Sequence, residues 1–261
     1  MTSQLATMRE RLAGRRKAKP GPPNVVAVVS GRGGSGVSLL AATIAIRSAQ
    51  AGLRTLLVDA DPWLDVQRVW LGLPKGPTLA DLGNGVEPEQ LIQPVHGSLE
   101  LLSFGNAGAV SPQYRALARR LPPLFESRDA VVIDAGARFD AIDRALDLAA
   151  GSVVAISGTD AIGLASTHAL MKAIRARADF GPSVLFNRSE DHEAHRAGLT
   201  LTDGARRFLG EAPEILGSIP TDPSFAQGLD GGAMLAERLL ASTLPGTVLP
   251  VMRRMRPWGG A

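Results

Sequence analysis

Gly31-Arg32-Gly33-Gly34-Ser35-Gly36-Val37-Ser38 follows directly on the apolar run Val25–Ser30 and opens an amphipathic stretch over 37–51. A strand, a glycine-rich turn and a helix in that order form the context a phosphate cradle needs. The glycines let backbone N–H groups turn inward, and the helix N-terminus adds partial positive charge. The spacing satisfies G-x-x-x-x-G-K-[ST] at every place but one, because Val37 stands at the lysine position. Taken alone, such a turn also serves as a strand-to-helix connection that holds no ligand.

Outward from this loop, short apolar runs alternate with helical stretches. The runs are Val25–Ser30, Thr55–Asp59, Leu99–Ser103, 130–134, 152–156, Ser183–Asn187 and 214–219. Amphipathic segments lie between and after them, near 37–51, 112–126, 139–149, 161–177, 193–209 and 244–256. Continuous β-branched runs separated by helices predict an α/β fold, a doubly wound and mostly parallel sheet covered on both faces. Ligands of such sheets bind beyond the carboxyl ends of the strands.

Three strand ends therefore bear on the loop. Asp59-Ala60-Asp61-Pro62 closes the second run with two carboxylates, which point the same way because alternate strand residues share a face. Val131-Val132-Ile133-Asp134-Ala135-Gly136 is an apolar run ending in aspartate and glycine, an arrangement suited to a magnesium-bound water near a γ-phosphate. Ser38 supplies the hydroxyl that magnesium would take directly. The candidate metal set is thus Ser38, Asp59 and Asp134.

With 261 residues, 45% hydrophobic and 20% charged, the chain reads as one soluble domain, and no apolar run reaches the length of a membrane span. Its beginning has no apolar core of an export signal, so a cytoplasmic address is expected. Cysteine is absent, which excludes disulfides, thiolate metal sites and cysteine nucleophiles. Residues 1–20 hold six cations (Arg9, Arg11, Arg15, Arg16, Lys17 and Lys19) against Glu10, while the whole chain carries only +3. The body is therefore mildly acidic, and a basic arm over 1–23, ending in the hinge Pro20-Gly21-Pro22-Pro23, precedes a domain over 24–261. Such an arm suits an anionic partner or a solvated tail equally.

Together these residues resemble the MinD/ParA family of deviant-Walker P-loop ATPases over 24–256. The family loop reads K-G-G-x-G-K-[ST], with a first lysine that crosses a dimer interface and a second that grips the phosphates in its own site. The corresponding residues here are Arg32 and Val37. The resemblance implies an ATP or ADP site with Mg2+, formed by Gly31, Arg32, Gly33, Gly34, Ser35, Gly36, Val37, Ser38 and Leu39. Asn187 and Arg188 would meet the adenine edge, and Pro220 and Asp222 belong to the loop over the base. Asp61 would orient the attacking water, with Arg32 as its catalytic companion. Arg32 keeps the charge, but Val37 removes one charge-assisted hydrogen bond of about 1.5–3 kcal/mol. That loss corresponds to roughly 10–150-fold in affinity. Weak nucleotide binding and negligible turnover are expected, because the same lysine would stabilise charge on the transferring phosphoryl group.

Within the family, Phe186-Asn187-Arg188-Ser189-Glu190 and Leu216-Gly217-Ser218-Ile219-Pro220-Thr221-Asp222-Pro223 resemble the FlhG group, regulators of flagellar number and placement. Ser3-Gln4-Leu5-Ala6-Thr7-Met8-Arg9 partly matches the arm with which that group stimulates an FlhF-like GTPase. The loop itself is similar to the R-G-G-x-G-x-S form of CpaE/TadZ-like pilus and septum proteins. The expectation is a spatial or number regulator of a polar or motility machine. The alternatives are a pseudo-ATPase scaffold for pilus or septum localisation and a slow ATPase with nucleotide-switched homodimerisation. Partition by DNA binding is disfavoured by the acidic body.

His192 and His195 have a spacing able to hold zinc, but no third ligand lies near, and a solvated turn is preferred. Val248, Val251, Met252, Met255 and Trp258 form one helical face beside Arg253, Arg254 and Arg256, which would suit a membrane surface. The domain's own closing helix is the preferred reading, since Pro257 ends the pattern.

Overall fold

The computed structural model describes residues 25–105, 112–137, 140–148 and 152–222. The basic arm and the 244–256 segment lie outside the described residues. Eight strands form one sheet: β1 (Val25–Ser30), β2 (Thr55–Asp59), β3 (Ile92–His96), β4 (Leu99–Ser103), β5 (Ala130–Ala137), β6 (Ser152–Ser157), β7 (Ser183–Asn187) and β8 (Ile215–Ile219). Their order is β3-β4-β2-β5-β1-β6-β7-β8, parallel throughout except for β3, which pairs antiparallel to β4. The expected α/β fold with a mostly parallel sheet is what the chain adopts.

The strands are apolar without alternation because both faces are covered. Val25, Ala27 and Val29 of β1 enter the larger apolar cluster. Val26 and Val28 enter a second cluster built with helix α1 (Val37–Gln50). The larger cluster is closed by α3 (Pro112–Ala118), α4 (Pro122–Glu126), α5 (Asp140–Asp147), α6 (Ala161–Arg175) and α7 (Asp191–Leu209). The short helix α2 (Val66–Trp70) follows β2.

Several boundaries differ from the sequence reading. The stretch over 112–126 is two helices, because Pro122 and Pro123 lack the N–H groups that would continue the first and instead occupy the opening turn of the second. Helix α7 begins at Asp191, two residues earlier than expected, where Glu190 and Glu193 form a reciprocal cap. β5 runs on to Ala137, which carries Asp134 and Gly136 inside the strand. Strand β3 and helix α2 had no counterpart in the sequence reading.

The order of strands places β1 centrally. β5 and β2 lie on one side of it and β6, β7 and β8 on the other. The carboxyl ends of the parallel strands open onto the loop that follows β1, which is where the sequence concentrates its glycines and carboxylates.

Candidate functional site

The turn between β1 and α1 has a defined backbone. Gly34 and Gly36 adopt left-handed φ values of 74° and 91°, conformations that side chains with a Cβ rarely take. Gly31 is required for another reason: a Cβ there would lie 2.5 Å from the carbonyl oxygen of Ser166 in α6. Gly36 caps α1 without a side-chain bond, so the first N–H groups of that helix face the turn with only backbone polarity around them.

The turn is held from the β7 side. Asn187 donates from Nδ2 to the carbonyl of Ser35 at 2.8 Å, and its Oδ1 accepts from the Arg188 N–H at 3.0 Å. The Arg188 guanidinium donates to the carbonyl of Gly34. Among the described residues Arg188 is the one non-glycine position with left-handed φ, at 54°. Both loop carbonyls are thus drawn toward the β7 tip. β8 ends beside it, with Ile219 paired to Asn187 and its carbonyl accepting from Ser189, which brings Pro220 and Asp222 to the same end of the sheet.

On the other flank, Arg32 reaches Asp160 at the start of α6, at 3.0 Å from Nη1 to Oδ1. Asp160 also caps α6 by accepting from the Gly163 N–H at 2.9 Å. These two donors, the Gly163 N–H first, hold the Asp160 carboxyl below the ordinary carboxylate range. Val37 is buried among the apolar residues between α1 and the sheet, and Leu39 packs at the edge of the same cluster. Neither side chain offers a donor.

The carboxylates gather as the strand ends require. Asp59 and Asp134 are directly paired in the β2–β5 ladder, and both are fully buried. Burial, then the neighbouring Asp134, pushes Asp59 well above the usual carboxylate range, and burial raises Asp134 as well. Asp134 accepts from the Gly136 N–H at 3.1 Å and from the Ser38 hydroxyl. Asp61 is half-buried, accepts from the Trp63 N–H at 3.0 Å and lies against Gly136.

The fit to a magnesium ion can be judged from Ser38. Its hydrogen goes to Asp134, which leaves the oxygen lone pairs for a cation, with Asp134 and Asp59 behind them as acceptors for metal-bound water. The donor set is hard oxygen throughout, as magnesium prefers. His192 and His195 are exposed on α7, and no group of three metal-ligating side chains of the His, Cys, Asp or Glu type occurs among the described residues. Nor is any helix among them long and apolar enough to cross a membrane.

Two site residues escaped the sequence reading. Gln67 of α2 is completely buried and donates from Nε2 to Asp134 at 2.8 Å and to the Ser38 carbonyl at 2.8 Å. Arg144 of α5, only 1% exposed, donates twice to the carbonyl of Ala135, at 2.7 and 3.1 Å, and pairs with Asp140 at 2.9 Å. Its guanidinium thereby fixes the peptide between Ala135 and Gly136, next to Asp134.

Comparison with known proteins places this architecture. Residues 26–233 match the model of the CobQ/CobB/MinD/ParA nucleotide binding domain. The antiactivator FleN of Pseudomonas aeruginosa is 29% identical over 78% of this chain and 75% of its own length. An iron-sulfur cluster carrier protein of Deinococcus radiodurans is 30% identical over 83% of this chain, which spans 64% of that protein. The septum site-determining protein MinD of Pyrococcus horikoshii, solved with Mg-ADP, superposes with a TM-score of 0.66 over 93% of this chain and 98% of that one, at 18% identity.

Proposed function

The chain belongs to the CobQ/CobB/MinD/ParA nucleotide-binding family, and from that premise we propose that it takes an adenine nucleotide with Mg2+ weakly, turns it over little or not at all, and regulates the position or number of a polar or motility machine. One observation carries the reading: Ser38, Asp59, Asp61 and Asp134 converge on the turn after β1, while Val37, at the place of the family's phosphate-gripping lysine, is buried in the apolar layer. Backbone N–H groups and the start of α1 would hold the phosphates. Ser38 would hold the metal, with Asp134 and Asp59 behind it. When bound, Mg2+ would neutralise phosphate charge and order water.

The regulatory part of the reading is supported by the likeness to FleN, which spans most of both chains. A cluster-carrier role like that of the Deinococcus relative is disfavoured, because this chain has no cysteine to supply a thiolate. A pseudo-ATPase scaffold of the pilus and septum type is favoured by the burial of Val37. A slow ATPase with a nucleotide-switched dimer is favoured by the complete carboxylate set.

Calorimetric titration with Mg-ADP and Mg-ATP, phosphate-release kinetics and size-exclusion chromatography with each nucleotide test these readings together. Weak binding with negligible phosphate release is expected. Turnover typical of the family that disappears in Asp61→Ala would overturn the low-turnover reading, and absence of any binding would overturn the nucleotide reading itself.

A further inference from the structure

At the end of the sheet opposite the phosphate turn, the amino ends of β6, β7 and β8 and the last turns of α6 and α7 surround an open cavity of about 370 Å³. Its floor is apolar, with Val153, Val154 and Met171 buried and Leu209 half-buried. Its rim is acidic. Asp179, Glu211 and Glu214 are exposed on it, and among the described residues Arg175 is the one cation that lines it. Arg175 meets Glu211 at 2.7 Å, and Glu214 accepts from the Ser183 hydroxyl at 3.0 Å. One guanidinium against three carboxylates leaves the mouth of the cavity negative.

The chain enters the sheet beside this mouth. β1 begins at Val25, and Val26 is the register partner of Ser152, itself a wall of the cavity. β7, whose first residue Ser183 also lines it, lies two strands from β1, about 10 Å at ordinary strand spacing. Residues 20–24 separate the last cation of the arm from Val25, and at the roughly 3.1 Å per residue of a proline-rich spacer they cover about 15 Å. That reach is enough to bring Arg15, Arg16, Lys17 and Lys19 to the acidic rim. The other side of β1 offers these cations less. There Asp129 is held at both oxygens by Arg54, and Glu100 is paired with Arg128, so the carboxylates are already matched. Leu5, Met8 and Leu12, at spacings of three and four, give the arm apolar side chains suited to the floor.

We propose that the basic arm docks on its own domain, with the cations of residues 15–19 on the rim formed by Asp179, Glu211 and Glu214 and with Leu12 on the apolar floor. The arm is thereby kept at the end of the sheet away from the phosphate turn, and any other anionic partner has to compete with the rim for it. Exposed charges carry most of the contact, so it is weak, reversible and sensitive to salt.

The test compares limited trypsin digestion after Arg15, Arg16 and Lys17 in the full-length protein and in the double variant Glu211→Gln, Glu214→Gln, which neutralises two exposed carboxylates without touching the core. Cleavage of the arm is expected to be about fivefold slower in the parent protein at low salt, the effect of two exposed ion pairs, and equal in both at about 1 M salt, where the Debye length is about 3 Å. Because the chain has no cysteine, a nitroxide on Ala18→Cys gives a second reading by nuclear magnetic resonance. It should broaden the amides of Gly181, Ser183 and Glu211 more than those of Arg54 and Asp129, and lose that preference in the double variant. Equal cleavage of parent and variant at low salt, or equal broadening on the two sides of β1, would overturn the inference. Protection that rises with protein concentration would put the arm on a second copy and overturn it as well.

Discussion

Asn187 donates to the carbonyl of Ser35 across 2.8 Å although 152 positions separate them in the chain. The tip of β7 thus shapes the turn after β1, drawing its carbonyls aside and leaving its N–H groups for an anion. Asn187→Ala is expected to cost about 1 kcal/mol of stability, the typical net worth of one such bond, and to weaken ADP binding further by loosening the loop. Gly36→Ala should be more damaging than Asn187→Ala, since its Cβ would enter the space of the Asn187 amide and its φ of 91° excludes most side chains. Urea unfolding and calorimetric titration of both variants check the order.

Val37 provides the complementary experiment. Val37→Lys is expected to raise ADP affinity roughly tenfold or more, by restoring one hydrogen bond from a cation. It should also lower stability by about 1–2 kcal/mol, because a 4%-exposed valine leaves the layer between α1 and the sheet. An unchanged affinity in the folded variant would mean that the phosphates do not sit over the start of α1.

Much of this arrangement was legible in the chain because parallel strands covered on both faces read as unbroken apolar runs. β1, β2, β4 and β7 begin and end where the runs do. Asp59 and Asp134 could be grouped with Ser38 as a candidate metal set because each carboxylate closes such a run; that they face each other in the β2–β5 ladder is seen only in the structure. β3 could not be read. Ile92-Gln93-Pro94-Val95-His96 is an edge strand, with a proline that only an edge tolerates, and its half-exposed residues show no apolar run. Gln67 and Arg144 escaped for a different reason. A polar residue on a short helix reads as solvent-facing, and only partners 67 and 29 positions from Gln67, or a carbonyl 9 positions from Arg144, define their burial.

Asp160 links pH to the loop. Its folded-state carboxyl is held below the ordinary value of about 3.9. The stability it contributes is therefore complete above that value and is lost as pH falls through its lowered folded-state value. Asp160→Ala should cost about 1 kcal/mol at neutral pH by removing the cap of α6, and the cost should shrink on acidification. Asp160→Asn retains a capping oxygen and should lose less while still releasing Arg32 from its ion pair. Thermal unfolding of the three proteins between pH 3 and 7 separates the cap from the charge, since only the cap survives in Asp160→Asn.

Arg144 holds the peptide between Ala135 and Gly136. Two of its nitrogens converge on the Ala135 carbonyl and a third meets Asp140, so Arg144→Met would remove these two donors from that buried carbonyl and the Arg144 contact from Asp140. A loss of about 3 kcal/mol is expected, within the range for breaking a buried charged hydrogen-bond network. Arg144→Lys preserves the charge but not the planar fork, so it should recover only part of the loss. Because Ala135 sits between Asp134 and Gly136, hydrogen exchange at Gly136 should rise in both variants, and by more in Arg144→Met. Unchanged protection at Gly136 in a destabilised Arg144→Met would show that the arginine supports α5 alone and leaves the geometry of Asp134 to the strand.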